Sequence, residues 1–516
     1  MSENSSELSL FSWGQKPIIS ISQRGLLLAV AIVLALLLWL LSPFLFHRYP
    51  VQYADIDEHF RYGTIGGEDS DGIPYWIIKV LPTAFPDKLP GEGYTSLGFI
   101  QEPDHELPIS FVRSTNSLGI EVITENCATC HVGTLRSSPT DTTQIISAMP
   151  GITVNLQGFI QFLTDSAADD RFTADNLMPY INSAGAHFNP LEKLVYRFFV
   201  IPKTRDELLE LRHDFSFTNR QSPYGPGRVD TFTSYKTRRY GFPVDKLDEA
   251  ELEGISDYPS IWNQEPRQTM RLHWDGNNND PSERNRTAAL ALVSPTTADL
   301  DSLERLRTWL IKIKAPSYPY AIDRALAAKG EVIFDNNCAT CHSQQGSRIG
   351  EITPIEEVGT DRGRIDSYTY ELASNQNLTF SGITYQGIDQ RFSHFKKTNG
   401  YTNGLLDGIW LRSPYLHNGS VPTLKDLLKK PEDRPKSFYR GYDVYDRENV
   451  GYVSTVAAEN DKEFFLYDTN LPSNHNIGHL YGTDLSSQDR DALLMPMAIP
   501  GILLSFARQT AMLHPL

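Results

Sequence analysis

Cys127-Ala128-Thr129-Cys130-His131 is repeated later in the chain as Cys338-Ala339-Thr340-Cys341-His342. In a Cys-x-x-Cys-His segment the two thiols can add to the vinyl groups of a haem while the following imidazole binds its iron. A redox dithiol would not need the histidine, and a structural zinc would have to join two distant pairs. The sequence therefore predicts two covalently bound c-type haems, with His131 and His342 as proximal iron ligands.

The cysteine count agrees with this interpretation. The chain has four cysteines, and the two motifs use all of them, so none remains for a disulfide or a further metal site. The net charge of −16 leaves no basic face for a nucleic acid, which we exclude as a partner. An acidic surface would suit a small basic redox protein, although it is also a common means of staying soluble.

Residues 25–46 form an uncharged, apolar run of 22 residues, long enough to cross a bilayer as a helix. Lys16 and Arg24 precede this run, and Asp55, Asp57 and Glu58 follow it. By the positive-inside rule we expect residues 1–24 in the cytoplasm and the remainder in the bacterial periplasm, held by a single-pass anchor in the cytoplasmic membrane. A cleaved signal peptide is the alternative, but the small-residue cleavage site is missing.

The remainder of the chain predicts a mainly α-helical fold with long loops and two cytochrome c-like haem domains. We place the first at residues 47–318, with a loop-rich insertion at about 150–265, and the second at residues 319–516. Apolar spacing or capping residues predict helices at 118–126, 203–213, 303–314, 323–334 and 424–430, the last capped by Thr423. Arg228 lies in a turn and is a candidate for pairing with a haem propionate, or for a structural ion pair.

Several longer phrases resemble a known family. Trp274-Asp275-Gly276 lies between the two haem motifs, and PYLHNGSVPT occupies 414–423. These features resemble the bacterial di-haem cytochrome c peroxidase superfamily. Further phrases resemble its rubber-oxygenase-like branch: YGTIG at 62–66, GIPYWI at 72–77, GRVDTF at 227–232, LHWDGNN at 272–278 with ERN at 283–285, and GHLYGTDLS at 478–486.

The resemblance implies an oxidoreductase in which one haem reacts with peroxide or dioxygen and the other stores or relays an electron. Trp274 would lie between the haems. The implied partners are a small redox protein or a quinone-pool-linked electron donor or acceptor, together with peroxide, dioxygen or a hydrophobic substrate. A non-catalytic di-haem electron carrier is the alternative function.

The sixth ligand of each iron decides between these functions. Peroxidases of the superfamily often use a methionine shortly after the PYxHxG motif, but residues 420–434 contain none. The rubber-oxygenase-like branch uses a C-terminal histidine, which corresponds to His479, with His475 as the rival. His417 is expected to have a structural or propionate-contacting role rather than to bind iron.

For the first haem we expect an open coordination position framed by Trp274, Glu283 and Arg284, with His273 as the best candidate for a distal ligand. An open position is what peroxide or dioxygen chemistry requires. Glu283 could move a proton there, or it could form an ion pair with Arg284 or another cation.

Two differences from the family limit which of its functional properties can be expected of this chain. Ala289 stands where, in our alignment, the rubber oxygenases have a distal phenylalanine, so cleavage of polyisoprene is not expected. The apolar C-terminal stretch after residue 492 is interrupted by Pro496 and Pro500 and does not predict a second membrane span. A Ca²⁺ between the haems, as in some relatives, is possible, but the sequence contains no motif that supports it.

Overall fold

The computed structural model of the protein describes residues 23–46 and 52–497. Over these residues the fold is mainly helical, as predicted, and it also contains small antiparallel sheets. The α-helices are α1 Gln23–Phe46, α2 Ile56–Tyr62, α3 Tyr75–Ala84, α4 Ala128–His131, α5 Leu156–Ala168, α6 Ala174–Ser183, α7 Pro190–Val195, α8 Ile201–Asp214, α9 Thr231–Ser234, α10 Pro281–Ala289, α11 Leu300–Lys312, α12 Arg324–Asn337, α13 Ala339–His342, α14 Ile355–Val358, α15 Gly363–Ser367, α16 Tyr370–Gln376, α17 Leu424–Leu427 and α18 Ser487–Met497.

The strands are short, and each sheet described has two or three of them. Antiparallel pairing gives one sheet in the order β1-β3-β2 and joins the others two by two: β4 with β5, β6 with β7, β8 with β11, β9 with β10, β12 with β17, β13 with β14 and β15 with β16. Their bounds are β1 Ile73–Pro74, β2 Phe111–Thr115, β3 Glu121–Glu125, β4 Val132–Leu135, β5 Gln144–Ser147, β6 Arg228–Val229, β7 Ser256–Asp257, β8 Ile352–Pro354, β9 Thr384–Tyr385, β10 Ile388–Asp389, β11 Gly400–Thr402, β12 Ser437–Arg440, β13 Tyr445–Asp446, β14 Gly451–Tyr452, β15 Ala458–Glu459, β16 Lys462–Glu463 and β17 Phe465–Asp468.

Helix α1 has the length and apolar composition to cross a membrane between Gly25 and Ser42. Its large side chains are exposed, as shown by Leu27 at 69% and Leu28 at 64%. A signal sequence near the N-terminus would have the same composition, so the helix is compatible with either role.

Four of the predicted helices are confirmed. Helices α8 and α11 cover 203–213 and most of 303–314. Helix α12 covers 323–334, with Asp323 as its N-cap, and continues to Asn337. Thr423 caps α17 by accepting a hydrogen bond from the Asp426 amide at 3.1 Å, although this helix ends at Leu427. The predictions succeed where a capping side chain and an apolar period occur together.

The prediction of a helix at 118–126 is wrong, because this segment forms β3 of a hairpin with β2. The turn is built by Asn116, whose side-chain oxygen accepts from the amides of Leu118 and Ile120, and by Gly119 at φ 76°. An Asn and a Gly placed in this way favour a tight turn and therefore an antiparallel pair.

The segment expected to be a loop-rich insertion contains α5, α6, α7 and α8 in its first part. Each of the first three begins at a capping side chain, which is Asn155, Thr173 or Asn189. Asn189 and Glu192 form a reciprocal capping box with Pro190 at the first helical position. These signals are present in the sequence, but the polar loops between the helices obscured them.

One large hydrophobic cluster contains residues from both halves of the chain, such as Phe60, Val132, Trp410 and Leu493. Helix α12 packs against α18, with Gly330 and Phe334 buried. Both cysteine motifs contact this cluster, Cys127 and Cys338 being packed against it. The two motifs are therefore anchored in a shared core rather than on mobile surface loops. The boundary at residue 318 remains a prediction.

Candidate functional site

Each Cys-x-x-Cys-His motif folds as one short helical turn. Cys127 precedes α4 and His131 ends it, while Cys338 precedes α13 and His342 ends it. At the first motif, the Asn126 side-chain oxygen accepts a hydrogen bond from the Ala128 amide at 2.9 Å. The turn brings two thiols and an imidazole to one side of the backbone, as attachment of a haem requires.

Both histidines of the motifs are held in the same way. The Nδ1 atom of His131 lies 3.0 Å from the carbonyl oxygen of Pro259, and that of His342 lies 2.8 Å from the carbonyl oxygen of Gly404. Because a carbonyl only accepts, each Nδ1 must carry the proton, which leaves Nε2 free to bind a metal. Burial lowers the pKa of His131 to about 4 and also lowers that of His342, so both rings stay neutral.

A second imidazole faces His342. The ring centres of His342 and His479 are 6.4 Å apart, and both side chains line one cavity, here called the His342 cavity. A metal–imidazole bond is about 2.0 Å and the ring centre lies roughly 1 Å beyond the nitrogen, so two imidazoles on opposite sides of an iron have centres about 6 Å apart. The residues of this cavity therefore fit a haem iron with two histidine ligands.

The loop that carries His479 is fixed by its backbone. The His479 amide donates to the Val358 carbonyl at 2.7 Å, and Arg434 donates to the carbonyls of Gly478 and His479. Gly478 has φ 72°, and a Cβ there would lie 2.3 Å from the Gly359 carbonyl carbon, so only glycine fits. Burial and the neighbouring His342 lower the pKa of His479 to about 3, which keeps it in the neutral form that binds metals.

His475, the rival ligand, is occupied elsewhere. Its Nδ1 lies 3.1 Å from the Thr469 carbonyl oxygen, and its amide donates to Asp361. His475 does not belong to the lining of the His342 cavity, whereas His479 does. The geometry therefore favours His479.

The cavity next to the first motif, here called the His131 cavity, differs in its lining. In the part of the chain that the structure describes, no imidazole pair like His342 and His479 forms at His131, whose ring neighbour is Tyr258 at 6.4 Å. Small and apolar residues of α10, α11 and their connection make up much of its lining: Ala288, Ala289, Ala291, Leu292, Leu303 and Leu306. Ala289, the position predicted for a distal side chain, thus lines this cavity with only a methyl group.

Of the described residues, seven border both cavities, and three of these are called the shared wall here: His273, Trp274 and Arg284. The Trp274 indole donates to the Asp257 carbonyl at 2.9 Å, which fixes its ring. The Nδ1 atom of His273 lies 2.6 Å from the Asn277 side-chain oxygen. The structure thus brings Trp274 and Arg284 together with the best distal candidate, His273.

Arg284 is a half-buried cation without a counter-charge. The described residues include no ion-pair partner for it, and its Nε atom has no hydrogen-bond partner. Burial, and then Arg267, lower its pKa to about 10. Since an unpaired charge that is partly buried is costly, its place in the wall of both cavities fits an anionic group such as a haem propionate or an oxygen ligand.

Glu283 does not line either cavity. Its carboxylate accepts from the amides of Ser393 and His394 at 2.8 and 3.1 Å, and lies 2.8 Å from the His394 Nδ1. It therefore fastens the loop at 393–394 to α10. Of the two roles that the sequence left open, this geometry fits a structural contact, and the partner is His394 rather than Arg284.

Arg228 is also outside both cavities. It is completely buried, its Nε lies 3.6 Å from Asp257, and its guanidinium lies over the Tyr467 ring. Asp257 is in turn bound by Arg440 through two contacts of 2.9 and 3.0 Å. The geometry therefore fits the structural ion pair left open above rather than a propionate contact.

Sequence reasoning missed Asp257, which connects several parts of the site. Besides holding Arg440 and Trp274, its amide donates to the His417 carbonyl at 2.9 Å. His417 itself is buried, and its Nε2 lies 2.9 Å from the Tyr401 hydroxyl, as expected for a structural histidine. No local sequence motif identifies Asp257 as a functional residue, because its partners come from distant segments.

A metal site made of protein side chains alone would need several His, Cys, Asp or Glu side chains close together. Over the described residues, no group of three or more His, Cys, Asp or Glu side chains is arranged to hold a metal ion. A Ca²⁺ between the haems is thus an expectation from the resemblance alone.

Glu125, immediately before the first motif, is expected to make stability depend on pH. Burial raises its pKa from 4.5 to about 7, although the hydrogen bond from Thr129 at 3.2 Å acts in the opposite direction. A raised carboxyl pKa means that the folded state holds the proton more tightly, so stability is highest below about pH 4.5 and falls as the pH rises towards 7. Glu125→Gln, which does not titrate, should therefore be more stable than the parent at pH 8, by up to about 3 kcal/mol, and equal to it at pH 4.

The measurement is the melting temperature of both proteins between pH 4 and pH 8. Glu92→Gln, at an exposed position, is the matched control and should show no such trend. A difference between Glu125→Gln and the parent that stays constant with pH would contradict the prediction.

The chain is similar to known proteins over parts of its length. A family model described as RoxA-like, cytochrome c-like matches residues 400–439, which include Gly404, Tyr401 and His417. The uncharacterized protein y4iM of Sinorhizobium fredii (strain NBRC 101917 / NGR234) is 31% identical over 257 residues, 44% of this chain and 57% of y4iM. The uncharacterized protein y4iJ of the same strain is 22% identical over 542 residues, 82% of this chain and 85% of y4iJ. The chain thus contains a RoxA-like cytochrome c domain, which implies that it binds haem c.

Proposed function

We propose that the protein is a membrane-anchored, periplasmic di-haem c oxidoreductase. In this proposal the haem at His131 activates peroxide or dioxygen, and the haem at His342 transfers electrons. The RoxA-like cytochrome c domain supports a haem cytochrome, and the apolar length of α1 is compatible with the anchor.

The observation that carries the proposal is the asymmetry between the two cavities. In the His342 cavity a second imidazole, that of His479, stands at the distance expected for a second iron ligand. Among the described residues, the lining of the His131 cavity includes several alanines and leucines together with Arg284, and its one histidine besides His131, His273, directs its Nδ1 to Asn277. An electron-transfer haem is expected to have both axial coordination positions of its iron filled by the protein, whereas a reactive haem needs one position open.

The chain's own residues have definable tasks in this function. A haem iron with an open position supplies the activation of peroxide or dioxygen. The Pro259 carbonyl holds the His131 ring with Nε2 unprotonated. Arg284 offers a positive charge to an anionic oxygen ligand, and its partial burial strengthens the interaction. The methyl group of Ala289 leaves room beside it for a substrate.

Electrons would pass between the cavities through the shared wall. Trp274 borders both cavities, and its indole is fixed by the Asp257 carbonyl, so an aromatic ring stays at a constant position between them. The external donor or acceptor in this proposal is a small redox protein or a carrier linked to the quinone pool.

The second candidate function is a non-catalytic di-haem electron carrier. The observation that favours it is His273, an imidazole that lines the same cavity as His131 and whose pKa burial and Arg284 lower to about 3. If the His273 ring turned from Asn277 to the iron, both sites would have two histidine ligands.

Electron paramagnetic resonance of the oxidised protein at low temperature distinguishes the two functions. The proposed oxidoreductase should show one high-spin and one low-spin haem signal, bind cyanide at one haem, and consume hydrogen peroxide with a reduced small cytochrome as donor. Two low-spin signals, no cyanide complex and no turnover of peroxide or dioxygen would contradict the proposal and support the electron carrier.

Arg284→Met tests the proposed task of the shared wall. Removal of the half-buried positive charge is expected to lower the rate of peroxide turnover by about 100-fold, because a preorganised charge at a reacting oxygen typically contributes that much. The affinity for azide, an anionic ligand, should fall in parallel, which is a readout independent of turnover.

Arg307→Met is the control for Arg284→Met. Arg307 also borders the His131 cavity, but its charge is compensated by Glu304 at 2.6 and 2.7 Å. Its replacement should change both quantities much less. Equal effects of the two substitutions would show that Arg284 has no special role.

A further inference from the structure

An apolar surface remains outside the site, in the helical segment that follows Asn189. Leu194, Phe198 and Phe199 are exposed to 53%, 61% and 70%. We call these three residues the α7 face. Large apolar side chains that are exposed side by side usually mark a surface that is covered in the functional state.

The local backbone explains why two neighbouring phenylalanines are exposed. Between α7 and α8 the chain makes a π-helical turn over Tyr196–Val200. Within this turn Tyr196 and Val200 are buried, while Phe198 and Phe199 are exposed. The exposed pair lies between two helices, α7 and α8, and is therefore not part of a fraying helix end.

The α7 face adjoins α1. Helix α7 packs against α1, and the Asn189 side-chain nitrogen donates to the Leu40 carbonyl oxygen at 3.1 Å, near the C-terminal end of the apolar helix. Asn189 is also the N-cap of α7 and forms a capping box with Glu192, so the start of α7 is firmly placed. A bilayer crossed by α1 would therefore have its surface at the level of α7.

The charges around the α7 face suit the boundary of a membrane. Lys193, Arg197 and Lys203 are exposed around it, on side chains long enough to reach the lipid headgroups. Two of them have acidic neighbours, since Arg197 pairs with Asp175 and Lys203 with Glu207 at 2.7 Å. The net charge of the surroundings is therefore small, and the aromatic and apolar side chains are the expected source of affinity.

We infer that the α7 face lies in the interface between lipid headgroups and acyl chains, on the same bilayer that α1 crosses. This inference rests on the proposed membrane anchor, and lipid is its one occupant. A second contact with the bilayer, beside the anchor, would restrict rotation of the soluble part and keep the haem cavities at a constant height above the membrane.

Spin labels at three positions of the full, haem-loaded chain test this inference in phosphatidylcholine vesicles. A nitroxide is attached to Phe199→Cys, to Leu34→Cys in α1, and to Val332→Cys, which is exposed to 60% in α12. The haem-bound thiols do not react, so the parent protein serves as the control without label. The accessibility of each label to oxygen, which is concentrated in lipid, is divided by its accessibility to a water-soluble nickel complex.

We expect this ratio to be highest for the label at position 34. The ratio at position 199 should exceed the ratio at position 332 by roughly threefold or more. A ratio at 199 equal to that at 332, with 34 still in lipid, would overturn the inference and leave the anchor intact. Shielding of 199 from both reagents would mean that a protein surface or a second copy covers the α7 face, and would also overturn it. An aqueous ratio at 34 would reject the anchor itself.

Discussion

Replacing Cys338 and Cys341 by alanine is expected to leave one covalently bound haem per chain, and replacing Cys127 and Cys130 is expected to do the same. A variant that lacks all four thiols should have none. The reason is that each motif supplies its own pair of thiols and its own imidazole on one short turn, and the chain contains no other cysteine. The measurement is the haem content per chain after denaturation, together with the mass of the intact protein.

The two double variants should also lose different spectroscopic signals. Loss of Cys127 and Cys130 should remove the high-spin signal, whereas loss of Cys338 and Cys341 should remove the low-spin signal that we assign to His342 and His479. Cys127 and Cys338 both pack against the large hydrophobic cluster, so an emptied cavity should lower the melting temperature by roughly 10 °C or more in either case.

Two control outcomes would contradict this prediction. A parent protein with a single haem would mean that only one motif is used. A double variant that keeps two haems on denaturation would mean that the mutated thiols do not attach the cofactor. Thr129→Ser and Thr340→Ser, which change the motifs without touching thiols or imidazoles, should leave the haem content unchanged.

The parts of the site that could be predicted from sequence are those whose chemistry is local. The spacing of two thiols and a histidine is set by covalent attachment, so five consecutive residues are sufficient to recognise it. The capping residues Asp323 and Thr423 likewise act on amides two or three residues away, and both predictions of helix starts are confirmed. The hairpin at β2 and β3 has an equally local signal in Asn116 and Gly119, although the apolar spacing predicted a helix at 118–126.

The rest of the site depends on contacts between residues that are distant in the chain, and a single sequence does not reveal these contacts. The carbonyls of Pro259 and Gly404 orient the two motif histidines from 128 and 62 residues away, and any residue type has a carbonyl. Glu283 stood beside Arg284 in the sequence, yet it binds His394, 111 residues further on. Neighbours in a helix point in different directions, so adjacency in sequence gave a misleading pair of partners.

His479→Ala is expected to convert the haem at His342 from a six-coordinate, low-spin centre into a five-coordinate, high-spin one. The structure provides the reason, because the two rings are 6.4 Å apart and both line one cavity. The variant should show a second high-spin signal in electron paramagnetic resonance and bind cyanide at both haems. Added imidazole should restore the low-spin signal, since the mutation leaves a space of the size of the lost ring.

His475→Ala is the matched control, because it removes a histidine four residues away whose ring is already bound to the Thr469 carbonyl. It should leave both signals unchanged. If His475→Ala removed the low-spin signal and His479→Ala did not, the assignment of the two histidines would have to be exchanged.

The His479→Ala variant also tests the proposed function. Electron transfer to the His131 site should be slower in this variant, because the surroundings of a five-coordinate iron rearrange more when the iron gains or loses an electron than those of an iron held between two fixed imidazoles. A variant with unaltered peroxide turnover but an altered spectrum would show that the His342 site does not take part in turnover. This result would contradict the proposal that one haem reacts with peroxide while the other transfers electrons.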